Sequence, residues 1–240
     1  DPGAGIQADA TVHVNTAVAN SSAAVVEAMV RSEILDANGL ALASDSSVRP
    51  VAAGASLTFV QPIALPKAQL WSPDRPYLYT LRSTVTVAGK IVDQMTTTFG
   101  VRHLRFGADH GFFLNWKRLE LHGVKMHQDH GGVGVAAADR LFTWRLERLK
   151  EVGCNAIRLS HNPVAPFLLD ECDRLGFLVI AENRHFGDTY TDQAPDDTPA
   201  AVHQDLSILV RRDRNHPSIV LWSMCNEQWS GASAGAARML

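Results

Sequence analysis

Residues 153–182 read GCNAIRLSHNPVAPFLLDECDRLGFLVIAE, and the order of apolar and polar residues in this stretch decides the fold. Asn155 to Ser160 is a short run carrying Ile157 and Leu159, and it reads as a strand. Beyond the break at His161-Asn162-Pro163, Leu168, Leu169, Cys172 and Leu175 recur at helical spacing, with Gly176 where a left-handed C-terminal residue belongs. Phe177 to Ala181 is a second apolar run, read as another strand. Near-continuous apolar strands separated by helices are how parallel strands covered on both faces look.

The same grammar extends both ways. Downstream, Thr198-Pro199 opens a helix with Val202, Leu206, Leu209 and Val210 on one side; it stops before Pro217, and Ser218 to Met224 follows as a strand. Upstream, Asp139 to Glu151 is a helix with Phe142, Leu146 and Leu149 on one face and Gly153 behind it. Before that, Leu119 to Met126 reads as the first strand, after a hairpin-like stretch around Phe112 to Leu121. Four strands with three helices between them make the first half of a (β/α)8 TIM barrel, and the chain is expected to be a fragment that stops in a fourth helix.

Residues 1 to about 101 follow a different pattern, all-β, with Val12 and Val14 alternating and strands at Val25 to Leu35, Leu57 to Val60 and Leu78 to Val87. Asn38-Gly39 and Ala88-Gly89 supply turn chemistry. The reading is an immunoglobulin-like sandwich over 1–101, with Trp71 as a packed corner, followed by the truncated α/β barrel over 102–240.

With 46% apolar residues the chain has enough for real cores, so disorder is excluded. A net charge of −3, with neither sign in a long block, argues against nucleic acid as a partner. No apolar run reaches the roughly 18 residues of a membrane-spanning helix. Cys154, Cys172 and Cys225 are odd in number and sit in apolar or helical contexts, which favours buried thiols over a disulfide framework. Asp1 follows no Met and no signal pattern, so the natural N-terminus is expected to lie upstream, and the compartment is unread.

Chemistry-bearing residues gather where the four strands end: His127-Gln128-Asp129-His130, Arg158 with Ser160 to Pro163, Glu182-Asn183, and Asn226-Glu227. A barrel keeps its active site on that face, where distant residues must converge on one substrate. Strand alternation sends Ile157 and Leu159 towards the helices and Arg158 inward, where Glu182 or Glu227 would partner it, as a structural ion pair or beside a substrate contact. His127, Asp129 and His130 admit a metal reading. Hydroxyl recognition is the better one, because these residues lack the helical spacing that aims two imidazoles at one ion. Glu227 follows an apolar strand beside Trp222 or Trp229, a setting that raises a carboxyl pKa and suits a general acid.

Residues Arg211 to Ser223, ending in Asn226-Glu227, closely resemble the acid/base signature of glycoside hydrolase family 2. Asn155 to Pro163 resembles that family's second-strand motif, and Phe99-Gly100-Val101-Arg102 its approach to the barrel. His127 to Gly134 and Cys172 to Gly176 are similar to β-galactosidase members. The resemblance implies a retaining exo-β-glycosidase, most simply one hydrolysing terminal non-reducing β-D-galactose, with β-glucuronidase, β-mannosidase or a non-catalytic carbohydrate-binding fragment as alternatives. It implies Glu227 as general acid/base, Asn226 on the sugar 2-hydroxyl, and His127, Asp129, Arg158 and His161 around the non-reducing sugar.

The family's nucleophile is a Glu on the seventh barrel strand, outside this sequence, so the stretch alone is expected to be inactive. Three departures are visible. Cys225 stands where Gly is common, and Asn115-Trp116 replaces a frequent Asn-Gly, which weakens the expectation of a tight turn. Arg184 to Gly187 does not reproduce the magnesium ligands of some relatives, so no cofactor or metal is assigned. The resemblance further implies an oligosaccharide as partner, a homo-oligomeric parent, and a bacterial cytoplasmic or periplasmic location.

Overall fold

The computed structural model describes residues 5–184, 199–224 and 226; residues 185–198, read from the sequence as part of a long polar loop, lie outside them, as do Cys225, Glu227, Trp229 and the side chains of Pro199 and Val202. Contacts divide the chain into two units, Asp1–Trp71 with Tyr77–Val101, and Ser72–Pro76 with Arg102–Leu240.

The first unit is an immunoglobulin-like sandwich built from β1 (Gln7–Ala19), β2 (Val26–Leu35), β3 (Ala41–Val51), β4 (Ser56–Gln69), β5 (Tyr79–Val87) and β6 (Lys90–Phe99). One sheet pairs β1 with β4, and the other runs β3-β2-β5-β6, all antiparallel. Alternate residues point inward, as in β4, where Phe59, Gln61, Ile63 and Leu65 are buried between exposed neighbours. The inward residues form two apolar clusters, one around Val14, Ile34, Ile63, Leu65 and Tyr79, the other around Val30, Val51, Phe59 and Val85. A polar pair is also buried there: Ser32 donates to Gln61 Oε1 at 2.7 Å, and Gln61 Nε2 donates to the Val30 carbonyl at 3.1 Å. Trp71 is fully buried, and its backbone N–H donates to Val101 O at 2.8 Å. Ala88 (φ 49°) and Gly89 (φ 76°) form the left-handed turn that Ala-Gly signals between β5 and β6.

The second unit opens with a small antiparallel sheet, β7 (Leu104–Gly107), β8 (Gly111–Leu114) and β9 (Lys117–Arg118). The turn between β8 and β9 is tight despite lacking glycine, with Asn115 at φ 51° and Trp116 at φ 66°. Asn115 holds it by trading two bonds with His103: His103 N–H donates to Asn115 Oδ1 at 2.9 Å, and Asn115 N–H donates to His103 O at 2.8 Å. The Trp116 ring stacks on the His103 ring at 5.0 Å. These contacts replace what glycine would have supplied, and the weakened expectation of a turn is corrected.

A parallel sheet follows in the order β10 (Gly123–Met126), β11 (Ala156–Leu159), β12 (Leu178–Glu182), β13 (Ile219–Ser223), with helices α1 (Asp139–Glu151), α2 (Pro166–Leu175) and α3 (Pro199–Asp213) between them. This is the first part of a TIM barrel, unclosed among the described residues. The first strand is shorter than expected: ahead of it, the His122 carbonyl accepts from the backbone N–H of Asn155 at 2.8 Å, and the Asn155 side chain holds the backbone at 120 and 122. Asn155 Oδ1 accepts from His122 N–H, and Asn155 Nδ2 donates to Glu120 O, both at 2.8 Å. The helix-side core joins Phe142, Leu146, Ile157, Leu159, Leu168, Leu169, Cys172, Phe177 and Val179. Among the described cysteines, Cys154 and Cys172 are free thiols, and burial pushes the Cys172 thiol up.

Where the strands begin, Asp173 of α2 is buried and accepts from Ser218 N–H at 2.9 Å and from His216 Nδ1 at 2.6 Å. Burial lowers the His216 pKa, but the hydrogen bond and charge of Asp173, with Asp170 and Asp213 beside it, outweigh that and raise it. A raised imidazole contributes stability that is full below the ordinary range of about 6.5 and lost as pH climbs through the folded-state value. The melting temperature of the wild-type chain is therefore expected to fall as pH rises above about 6.5, and His216→Gln to flatten that slope; parallel pH profiles of thermal melts give the comparison.

Gly176 ends α2 at φ +74°, and a Cβ there would meet the Pro73 carbonyl oxygen at 2.2 Å. Gly153, after α1 at φ +86°, has nothing within 4 Å. Gly153→Ala is expected to cost about 1–2 kcal/mol through backbone conformation alone, and Gly176→Ala about 2–5 kcal/mol because backbone must also move. Equal losses in urea titrations of the two variants would remove the steric part of this account.

Candidate active site

Pairing register places the site. Arg158 sits level with Ile180, and Glu182 lies two residues further along β12, on the same face, level with Ser223 of β13. The apolar alternates Ile157, Leu159, Val179 and Ala181 face the helices, as the sequence indicates. Three strand ends therefore converge on one carboxylate. Arg158 donates to Glu182 Oε2 from Nε at 2.9 Å and Nη2 at 2.6 Å, Ser223 Oγ donates to the same oxygen at 2.7 Å, and His161 Nδ1 lies 2.6 Å from Oε1.

The Glu182 side chain has no exposed surface, whereas that of Arg158 keeps 37% and that of His161 22%. Burial pushes the Glu182 pKa up, but the hydrogen bonds from Ser223, His161 and Arg158 and the guanidinium charge outweigh it, so the carboxyl lies below its ordinary range and is ionised at neutral pH. Arg158 also donates from Nη2 to Asn226 Oδ1 at 3.1 Å. The His127 ring meets that of His161 edge to face at 5.2 Å.

Of the residues expected to line the site, Arg158, His161 and Asn226 are thus joined through or beside Glu182, and His127 stands against them. Asp129 is exposed on the loop after β10, and its backbone carbonyl accepts from Arg145 at 2.7 Å. His130 hydrogen-bonds through its backbone with Gly134, and its ring stands edge-on to Trp144. Glu227 lies outside the described residues. Trp222, expected as one candidate wall of its pocket, instead packs against the helix-side core, because strand alternation sends it to the face opposite Ser223.

Among the described residues, the cluster of His and carboxylates able to share an ion is Asp170, Asp173 and His216, at the opposite ends of the strands, and Asp173 is already bonded to His216 and Ser218 there.

Residues 108–240 match the family described as glycosyl hydrolases family 2, TIM barrel domain, and residues 4–102 match glycosyl hydrolases family 2. The chain belongs to glycosyl hydrolase family 2. It is 39% identical over 232 residues to a protein named β-galactosidase BoGH2A from Bacteroides ovatus, covering 94% of this chain and 27% of that one. It is 35% identical over 179 residues to a β-glucuronidase from Bacteroides fragilis, covering 72% of this chain and 26% of the relative. Among solved structures, a family 2 member from Bacteroides cellulosilyticus superposes with a TM-score of 0.87 at 33% identity, covering 99% of this chain and 32% of that one. A Bacteroides uniformis β-glucuronidase superposes with a TM-score of 0.82 at 29% identity, covering 92% and 26%. This family 2 chain therefore spans about a quarter of the length of these curated relatives.

The sequence placed Glu182 in one of four polar clusters at strand ends and as a possible partner for Arg158, and gave Ser223 no role. The available signal was a carboxylate ending an apolar strand next to a strand ending in a hydroxyl. Removing the guanidinium leaves a buried charge with fewer donors. Arg158→Met is therefore expected to cost about 2–3 kcal/mol, less than for a wholly buried pair because Arg158 is partly exposed, and Arg158→Met with Glu182→Leu to recover most of it. Denaturant unfolding of the single and double variants measures both.

Proposed function

We propose that this chain contributes to a retaining exo-β-glycosidase that removes terminal non-reducing β-D-galactose, with Glu227 as general acid/base. The supporting observation is the joining of Arg158, His161 and Asn226 around one buried carboxylate at the C-terminal ends of parallel barrel strands. Fixed donors and acceptors at that end suit a ring bearing several hydroxyls. In this reading Asn226 holds the 2-hydroxyl, and His127, Asp129, Arg158 and His161 shape the subsite for the terminal sugar.

A retaining mechanism needs a second carboxyl about 5–5.5 Å from the acid/base. Glu182 is not a candidate: its carboxylate is wholly buried and both oxygens are taken by Arg158, Ser223 and His161. The nucleophile is assigned to a Glu elsewhere in the full-length protein. Glu227 first protonates the glycosidic oxygen as the nucleophile attacks the anomeric carbon, then takes a proton from the water that hydrolyses the glycosyl-enzyme.

The relatives' names divide between β-galactosidase and β-glucuronidase, so the second reading is a β-glucuronidase. Turnover of p-nitrophenyl β-galactoside against the β-glucuronide by the full-length protein decides between them. In the preferred case, Glu227→Gln is expected to slow substrates with poor leaving groups far more than activated aryl glycosides, with azide partly restoring turnover of the latter. Equal losses on both substrate types without an azide effect remove Glu227 from the role.

A further inference from the structure

Glu182 does more than neutralise Arg158, because each of its bonds fixes the polarity of a neighbouring group. An ionised carboxylate can only accept. His161 Nδ1, 2.6 Å from Glu182 Oε1, must therefore carry its proton towards Glu182. The neutral ring then has its lone pair on Nε2, at the other edge. The Glu182 side chain is wholly buried, while that of His161 keeps 22% of its surface exposed.

A second chain of the same kind runs through Arg158. A guanidinium can only donate, so the Asn226 atom 3.1 Å from Arg158 Nη2 is its carbonyl oxygen, and the amide is set with Nδ2 on the other side. Arg158 is itself held in place by two bonds to Glu182 Oε2, from Nε and Nη2, and Ser223 Oγ donates to that same oxygen at 2.7 Å.

We propose that Glu182 is a positioning residue that sets the hydrogen-bonding polarity of the sugar subsite, presenting His161 Nε2 as an acceptor and Asn226 Nδ2 as a donor. This rests on the glycosidase reading above and deepens it. A sugar hydroxyl at His161 donates its hydrogen, and the hydroxyl at Asn226 receives one on its oxygen. A substrate that can make only one of these bonds leaves one partner unmatched under the sugar that covers it.

Two measurements test this. In the full-length enzyme, Glu182→Gln is expected to lower kcat/KM for an aryl glycoside by about tenfold to a hundredfold, and for its 2-deoxy analogue by far less, because the analogue has no hydroxyl for Asn226. The losses from Glu182→Gln and Asn226→Ala are expected to be non-additive on the 2-hydroxyl substrate. Equal losses on both substrates, or additive losses, overturn the proposal and leave Glu182 a structural residue.

The second measurement does not use activity. In protein labelled with 15N-histidine, with His161 assigned by comparison with His161→Gln, the neutral ring is expected to be protonated at Nδ1. A ring protonated at Nε2 overturns the proposal even in an active enzyme. An Nδ1–H ring in a protein that cleaves no glycoside supports the positioning while sinking the glycosidase reading.

Discussion

A carboxylate placed wholly out of water is a severe constraint on the chain around it. Its ionised form survives only if donors arrive from several directions at once, since the cost of dehydrating the charge exceeds what one partner returns. Glu182 meets this by drawing Arg158 from β11, His161 from the turn after β11, and Ser223 from β13. Three pieces of backbone are thereby fixed to each other at the end of the sheet where the family motifs lie. The parallel register achieves this: Arg158 sits level with Ile180, and after a one-residue shift between Val179 and Ile180 the β12–β13 pairing sets Glu182 level with Ser223.

The opposite ends of the same strands are organised around a second buried carboxylate with a different outcome. Asp173 receives Ser218 N–H and His216 and so fixes the approach to β13. Arg102 Nη2 reaches the Ile219 carbonyl at the start of that strand. Both carboxylates use imidazole as one donor. At Glu182 the ring belongs to the turn after β11 and joins the C-terminal ends of the strands, whereas at Asp173 the cluster secures the beginning of β13. One arrangement of side chains, a buried carboxylate with an imidazole and a second donor, thus recurs at the two ends of a β/α unit.

Much of this was legible in the sequence because periodicity reports burial. α1 spans the residues expected from Phe142, Leu146 and Leu149, and α2 starts at Pro166 and ends before Gly176 as proline and glycine chemistry dictates. Arg158 turned inward because its neighbours Ile157 and Leu159 had to turn out. What escaped was set by contacts between distant residues. The Asn155 side chain bonds to the backbone at positions 120 and 122, just ahead of the first strand, and no local pattern announces that. His103 rescued the glycine-free turn at Asn115-Trp116 from twelve residues before Asn115. Glu182 looked like one polar residue among several at strand ends; its rank came from register, which places Ser223 beside it.

The Ser32–Gln61 pair inside the sandwich has a consequence for how this domain's sequence is free to drift. Apolar neighbours such as Val30, Phe59 and Ile63 can exchange for other apolar side chains of similar volume at modest cost. Position 61 cannot follow alone, since losing its amide strands the Ser32 hydroxyl, and losing Ser32 strands the amide oxygen, with both residues fully buried. The two positions are tied across β2 and β4 and will tend to change together or not at all. In a set of related sandwiches they would stand out as a covarying couple amid a freely varying core, marking which residue of one sheet faces which of the other.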